Sequence, residues 1–148
     1  MNMLYFTLAL FAGAALATQV ALNTQLRAAV GTPMQATMIS MCIGAFAAFA
    51  YTVAARHPWP TASSVSSSPW WGWCGGFLGV FYLWATVVCA PRLGVAVTFG
   101  LVIAGQVITS LVLDHFGLLS VPVTLASVQR VIGVVLIVVG VVVMGVAK

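Results

Sequence analysis

Residues 128–147 read VQRVIGVVLIVVGVVVMGVA, and from Val131 onward the segment carries no charged or hydrogen-bonding side chain. At 1.5 Å per residue, a helix of this length spans about 30 Å, the thickness of a bilayer's hydrocarbon core. Backbone N–H and C=O groups in hydrocarbon must be satisfied within the segment itself, so this stretch reads as a transmembrane helix. Working back along the chain, four more apolar segments of similar length occur, at about 3–26, 33–55, 70–90 and 93–113. They are too long and too evenly apolar for barrel strands. The expected fold is an all-α membrane protein: one transmembrane domain over residues 1–148 with five spans and no internal repeat.

The composition agrees. Of 148 residues, 63% are hydrophobic and six are charged, five basic and one acidic. A soluble domain carries about 25% charged residues, so no water-facing surface can be built from this inventory. The basic residues are scattered singly, which argues against a nucleic-acid partner; the lipid bilayer is the expected surrounding. Cys42, Cys74 and Cys89 lie in apolar stretches without metal-ligand spacing and read as small apolar residues. Ala15-Leu16-Ala17 has the form of a signal-peptidase site, but no Lys or Arg occurs between Met1 and Phe6. The first segment is therefore expected to be a span and not a cleaved leader.

The connections are short. Gly31-Thr32-Pro33 reads as a turn, with Pro33 suited to the first position of the next helix. Residues 57–69, HPWPTASSVSSSP, form the one extended polar loop, and their prolines and serines oppose regular structure. Trp59, Trp70, Trp71 and Trp73 cluster at this end as an interfacial aromatic belt would. Pro91-Arg92 reads as a short connection, and Asp114-His115-Phe116-Gly117 closes the fourth span.

An odd number of spans puts the termini on opposite faces. Arg27, Arg92 and Lys148 then fall on one side, and Arg56, Arg130 and the terminal amine on the other. Orientation normally follows an excess of Lys and Arg in cytoplasmic loops. Here that excess is almost nil. Either one face wins weakly, or the chain inserts both ways and pairs with an inverted copy; counting charges does not separate the two.

Polar residues inside spans are costly and therefore informative. Gln19, Asn23 and Arg27 follow i, i+4, i+8 spacing and share one stripe of the first helix, with the small residues Ala12 and Ala15 close to the same face. They read either as the wall of a substrate cavity or as interhelical hydrogen bonds worth roughly 0.6–2 kcal/mol each. On the fourth helix Thr98, Gly105 and Thr109 align, with Gln106 and Ser110 alongside. Thr and Ser can satisfy themselves on the preceding turn, whereas Gln106 needs partners from another helix or from water. Gly133, Gly140 and Gly145 on the fifth helix are compatible with close packing but do not form GxxxG.

Asp114 is the sole carboxylate side chain. It reads either as a proton- or ion-coupling group or as an interfacial anchor paired with Arg130, and His115 reads as interfacial. Paired carboxylates, a metal-binding cluster and a nucleophile–base set are all lacking, so no enzyme, cofactor or metal is expected.

Several strings together resemble a known family. Gln19-x3-Asn23-x-Gln25-x-Arg27 followed by Gly31-Thr32-Pro33 resembles the first-helix signature of the YdcZ-like inner-membrane exporters of bacteria, within the drug/metabolite transporter superfamily. Pro69-Trp70-Trp71-Gly72-Trp73 with Gly75-Gly76 and Gly79 resembles the third helix of that family. Pro91-Arg92-Leu93-Gly94, Thr98-Phe99, Ala104-Gly105-Gln106 and Asp114-His115-Phe116-Gly117 resemble its fourth, and Gln129-Arg130-x2-Gly133 the start of its fifth. The resemblance implies half of a ten-helix transporter, because larger superfamily members look like two inverted five-helix halves. It further implies a multi-pass inner-membrane exporter of a small metabolite or drug, working by alternating access as an antiparallel homodimer or paired with a related short chain. On this reading Gln19, Asn23, Thr98 and Gln106 line the substrate cavity. Four-helix small multidrug resistance proteins rely on a first-helix Glu; here Gln19 and Asn23 occupy that helix, and a proton mechanism based on a carboxylate there is excluded. A membrane subunit that scaffolds a partner without transporting is the alternative from another class.

Overall fold

A computed structural model describes residues 3–147, and all regular structure among them is helical. The elements are α1 (Met3–Val30), α2 (Pro33–Ala54), α3 (Ala62–Ser66), a 3-10 turn (Trp70–Trp73), α4 (Cys74–Leu93), α5 (Val95–Phe116), a second 3-10 turn (Leu118–Ser120) and α6 (Val128–Val146). Five helical stretches are long and apolar enough to cross a membrane: Met3–Val30, Pro33–Ala54, Trp70–Leu93, Val95–Phe116 and Val128–Val146. The chain divides into two compact units, Met1–Val88 and Cys89–Lys148.

In the first unit α1 packs against α2 across a tight turn. Thr32 caps α2, accepting from the Gln35 backbone N–H at 3.2 Å and donating to Gln35 Oε1 at 2.9 Å, with Pro33 at the start of the helix as expected. Burial concentrates near this turn. Val20, Asn23, Ala36, Thr37, Leu83, Thr86 and Val87 are buried, whereas every residue from Met3 to Leu16 is exposed. The hairpin is thus packed near its turn and uncovered beyond it, with Ala12 and Ala15 on the uncovered part. Lipid covers apolar side chains of this kind without penalty.

In the second unit α5 packs against α6. A Cβ on Gly100 would lie 2.9 Å from Val141 Cγ2 and 3.0 Å from Met144 Cε, so the missing side chain is what lets these helices approach. The α5–α6 connection is tied back onto α5. Gly117, at φ +61°, ends the helix with its N–H on the Leu113 carbonyl, while Thr124 N–H donates to the Asp114 carbonyl at 2.8 Å. Ser127 then caps α6, accepting from the Arg130 N–H.

The structure departs from the expected boundaries at four places. The first span continues past 26 to Val30, carrying Arg27 inside the helix. Pro91-Arg92 is not a connection: α4 runs through both to Leu93, because proline in a last turn forfeits only one intrahelical bond. Gly94 alone, at φ +85° and ψ 153°, links α4 to α5, a conformation open essentially to glycine. Consequently the fourth span runs over Val95–Phe116, not 93–113. The loop at 57–69 also holds regular structure, the short α3. Its prolines, at 58, 60 and 69, bracket this turn instead of interrupting it, and Thr61 caps it by accepting from the Ser64 N–H.

Candidate functional site

The first unit holds the stripe of α1. Asn23 is 5% exposed, Gln19 is half-buried, and Arg27 is half-buried one turn beyond Asn23. Arg27 reaches across to α4, where its Nη1 donates to the Val87 carbonyl oxygen at 3.2 Å. That carbonyl is the one whose intrahelical donor would be the N–H of residue 91, and residue 91 is a proline. The guanidinium thus supplies the bond that proline cannot. Nearby, Thr86 donates to the Leu83 carbonyl at 2.9 Å and so satisfies itself. Among the described residues, two buried side-chain polar atoms are left without a protein partner, Asn23 Nδ2 and Tyr82 Oη. Such groups are rare because each forfeits its desolvation cost, which makes them pointers to a ligand or to water.

The second unit holds the other two expected cavity residues, in different settings. Thr98 is 3% exposed and its hydroxyl donates to the Gly94 carbonyl at 2.8 Å, so it serves as a clamp on the α4–α5 link. Gln106 lies at the middle of α5 and is exposed, as are Gly105, Thr109 and Ser110. The structure therefore brings Gln19 and Asn23 onto one face but does not bring Thr98 and Gln106 onto another.

At the end of α5, Asp114 Oδ2 accepts from Arg130 Nη2 at 2.7 Å, and Arg130 Nη1 also donates to the Thr124 carbonyl. His115 Nδ1 accepts from the Ala126 N–H at 3.2 Å, which fixes the ring as the tautomer protonated on Nε2 if neutral. Beside this ion pair is an open cleft of about 230 Å³ between α5 and α6, lined by Val107, Ser110, Leu111, Arg130, Gly133, Val134 and Ile137. No group of three or more His, Cys, Asp or Glu able to hold a metal occurs among the described residues.

From the sequence, Tyr82 and Trp84 read as aromatics able to line the substrate space, with core packing or lipid contact the commoner role; the Arg27–Val87 bond was not singled out. Pro91 inside an apolar helix does signal a freed carbonyl four residues earlier, but nothing in the sequence names the donor that finds it.

Comparison with known families matches residues 4–143 to a family model described as "Putative inner membrane exporter, YdcZ". Neither the comparison with curated proteins nor that with solved structures found a match. The match covers nearly the whole chain and all five spans. The protein is thus a multi-pass protein of the inner membrane and belongs to the YdcZ exporter family.

Proposed function

We propose that this chain is a half-size exporter of a small molecule, and that two copies in inverted orientation, or one copy and a related short chain, form the alternating-access unit. Its cavity residues are Gln19, Asn23 and Gln106, which hydrogen-bond the substrate, while Thr98, expected beside them, holds the Gly94 carbonyl instead. The observation that carries this reading is the exposure of Gln106 at mid-span. A primary amide facing hydrocarbon has four hydrogen-bonding positions to satisfy and no solvent to do it. It therefore calls for a polar partner outside the chain, such as a second copy or a water-filled cavity. The near balance of positive charge between the two faces supports the inverted arrangement. The ion pair of Asp114 with Arg130 supports an anchoring role for that carboxylate.

The test is the topology of Ser66, which is exposed in α3. A single cysteine at this position, with Cys42, Cys74 and Cys89 replaced, is labelled from each side of intact cells. Comparable labelling from both faces is expected. Labelling from one face alone removes the self-made inverted pair and directs the search to a second, oppositely inserted chain. Loss of assembly without any flux in purified protein would favour the scaffold reading instead.

A further inference from the structure

The cleft between α5 and α6 is charged at one end and apolar along its length. Val107, Ser110 and Leu111 line it from α5, and Arg130, Gly133 and Ile137 from α6. Each set keeps the three- and four-residue spacing of a single helical face. Asp114 is the next residue of the α5 set, four beyond Ser110, and its Oδ2 accepts from Arg130 Nη2 at 2.7 Å. This ion pair stands where the two spans are joined: Asp114 is two residues from the end of α5, and Arg130 is the third residue of α6. That end of a spanning hairpin meets the membrane–water interface. Val107 and Ile137 each lie seven residues from the pair, about 10 Å towards the membrane interior.

Both ends of the cleft ask for something. Its walls inside the spans are apolar apart from Ser110, whose hydroxyl donates to the Val107 carbonyl on its own helix. Water needs polar partners and does not settle in such a space, so hydrocarbon fills it. The volume, about 230 Å³, falls below the roughly 300–1,000 Å³ of pockets for drug-sized ligands, and a segment of one acyl chain suits it better. At the charged end, capacity of both signs is unused. Arg130 spends Nη2 on Asp114 and Nη1 on the Thr124 carbonyl, and its remaining N–H groups are donors of the kind that phosphate accepts from. Asp114 accepts through Oδ2, while Oδ1 has no hydrogen bond to any described residue. The side chains of Arg130 and Asp114 are 40% and 26% exposed, so both are within reach of the headgroup layer. A purely anionic headgroup would meet the Asp114 carboxylate beside Arg130; one that carries both signs complements both partners. We infer that this cleft binds a phospholipid with a primary-amine headgroup: an acyl chain lies between α5 and α6, the phosphate takes the Arg130 guanidinium and the ammonium donates to Asp114. The site shares no residue with the substrate cavity proposed above, and its occupant is a resident lipid and not cargo.

Three dioleoyl lipids separate the headgroup chemistry: phosphatidylethanolamine, phosphatidylcholine and phosphatidylglycerol, each titrated into the purified full-length protein in detergent and counted by native mass spectrometry. Phosphatidylethanolamine is expected to bind at least fivefold more tightly than phosphatidylcholine, which has the same charges but no N–H for Asp114, and than phosphatidylglycerol, which has no cation. Equal binding of all three would mean an unselective lipid coat, and tighter binding of phosphatidylglycerol would remove the ammonium from the site; either overturns the inference. This comparison uses the wild type alone, so it stands whether or not any variant folds. Asp114→Asn should abolish the advantage of phosphatidylethanolamine over phosphatidylcholine. Gly133→Leu should weaken all three lipids at least fivefold by filling the cleft, and a Cβ at that position has no neighbour within 4 Å, so the helices need not part. Circular dichroism checks that each variant is folded. Folded variants that keep the wild-type preference would place the lipid elsewhere and overturn the inference. Loss of a cross-linkable dimer in Gly133→Leu, with no headgroup preference in the wild type, would assign the cleft to a second copy of the chain instead.

Discussion

Arg27 of α1 and Val87 of α4 are joined by a 3.2 Å hydrogen bond in which a side chain replaces the backbone donor that Pro91 lacks. Val87 is fully buried, so its carbonyl has no recourse to water. In an α-helix interior, proline both removes the i→i−4 bond and presses its ring on that same carbonyl. The bond therefore explains two features together: how α4 continues through Pro91, and why a cation sits inside the first span.

This relationship predicts a non-additive pair of substitutions. Arg27→Ala should destabilise the protein by about 1–3 kcal/mol, the cost of a buried carbonyl left without a donor. In the Pro91→Ala background the same change should cost less than about 1 kcal/mol, since that background restores a backbone N–H to donate to Val87. Unfolding by sodium dodecyl sulfate in mixed micelles, followed by circular dichroism for all four members of the cycle, gives the coupling. Additive costs would show that the bond is incidental.

The α5–α6 contact gives a steric prediction. Gly100→Ala places a methyl group 2.9 Å from Val141 Cγ2, and valine, stiff about its first side-chain torsion, has little room to give. Overpacking of this kind costs about 1–3 kcal/mol. Gly140→Ala on α6 has open space around its new Cβ and should be neutral or stabilising by up to about 1 kcal/mol through helix propensity. The same unfolding assay compares them, and adding Val141→Ala to Gly100→Ala should recover part of the loss.

These two contacts mark the boundary of what the sequence makes legible. The spans are read from length and apolarity because the bilayer imposes both, independently of tertiary packing. Pro33 at the start of α2 is local chemistry, and local chemistry is visible in a single sequence. Pro91 misleads for the opposite reason: the helix survives it through a partner sixty residues away in the chain. The periodicity of Gln19, Asn23 and Arg27 correctly places them on one stripe, but it does not show that Asn23 is buried while Gln106 is exposed. Which neighbours cover a helical face is a property of packing, and all faces of these helices are apolar enough to be covered by either protein or lipid.

Asp114 invites a charge test. Its side chain is 26% exposed and that of Arg130 40%, so their ion pair is worth at most about 1 kcal/mol after solvent screening. Asp114→Asn should therefore shift the unfolding midpoint only slightly, and the more so at low salt. The backbone bond from Thr124 to the Asp114 carbonyl is unaffected by the change and keeps the connection in place. Flux in proteoliposomes should persist. An Asp114→Asn protein of undiminished stability that no longer carries substrate would give this carboxylate the coupling role.

The inverted pair makes a prediction about depth. Gln19 lies eight residues, about 12 Å, from Arg27 along α1, and Gln106 lies the same distance from Asp114 along α5. On the proposed topology, in which the five spans cross in alternation, the Arg27 and Asp114 ends belong to opposite faces of the membrane. Turning one copy over therefore brings its Gln106 level with Gln19 of the other. Differently tagged copies, one carrying Gln19→Cys and one Gln106→Cys in a cysteine-free background, should form a mixed cross-linked dimer with a short bismaleimide. Cross-linking confined to like positions would instead indicate a parallel pair, in which Gln19 meets Gln19 at equal depth, and an antiparallel cavity would lose its geometric basis.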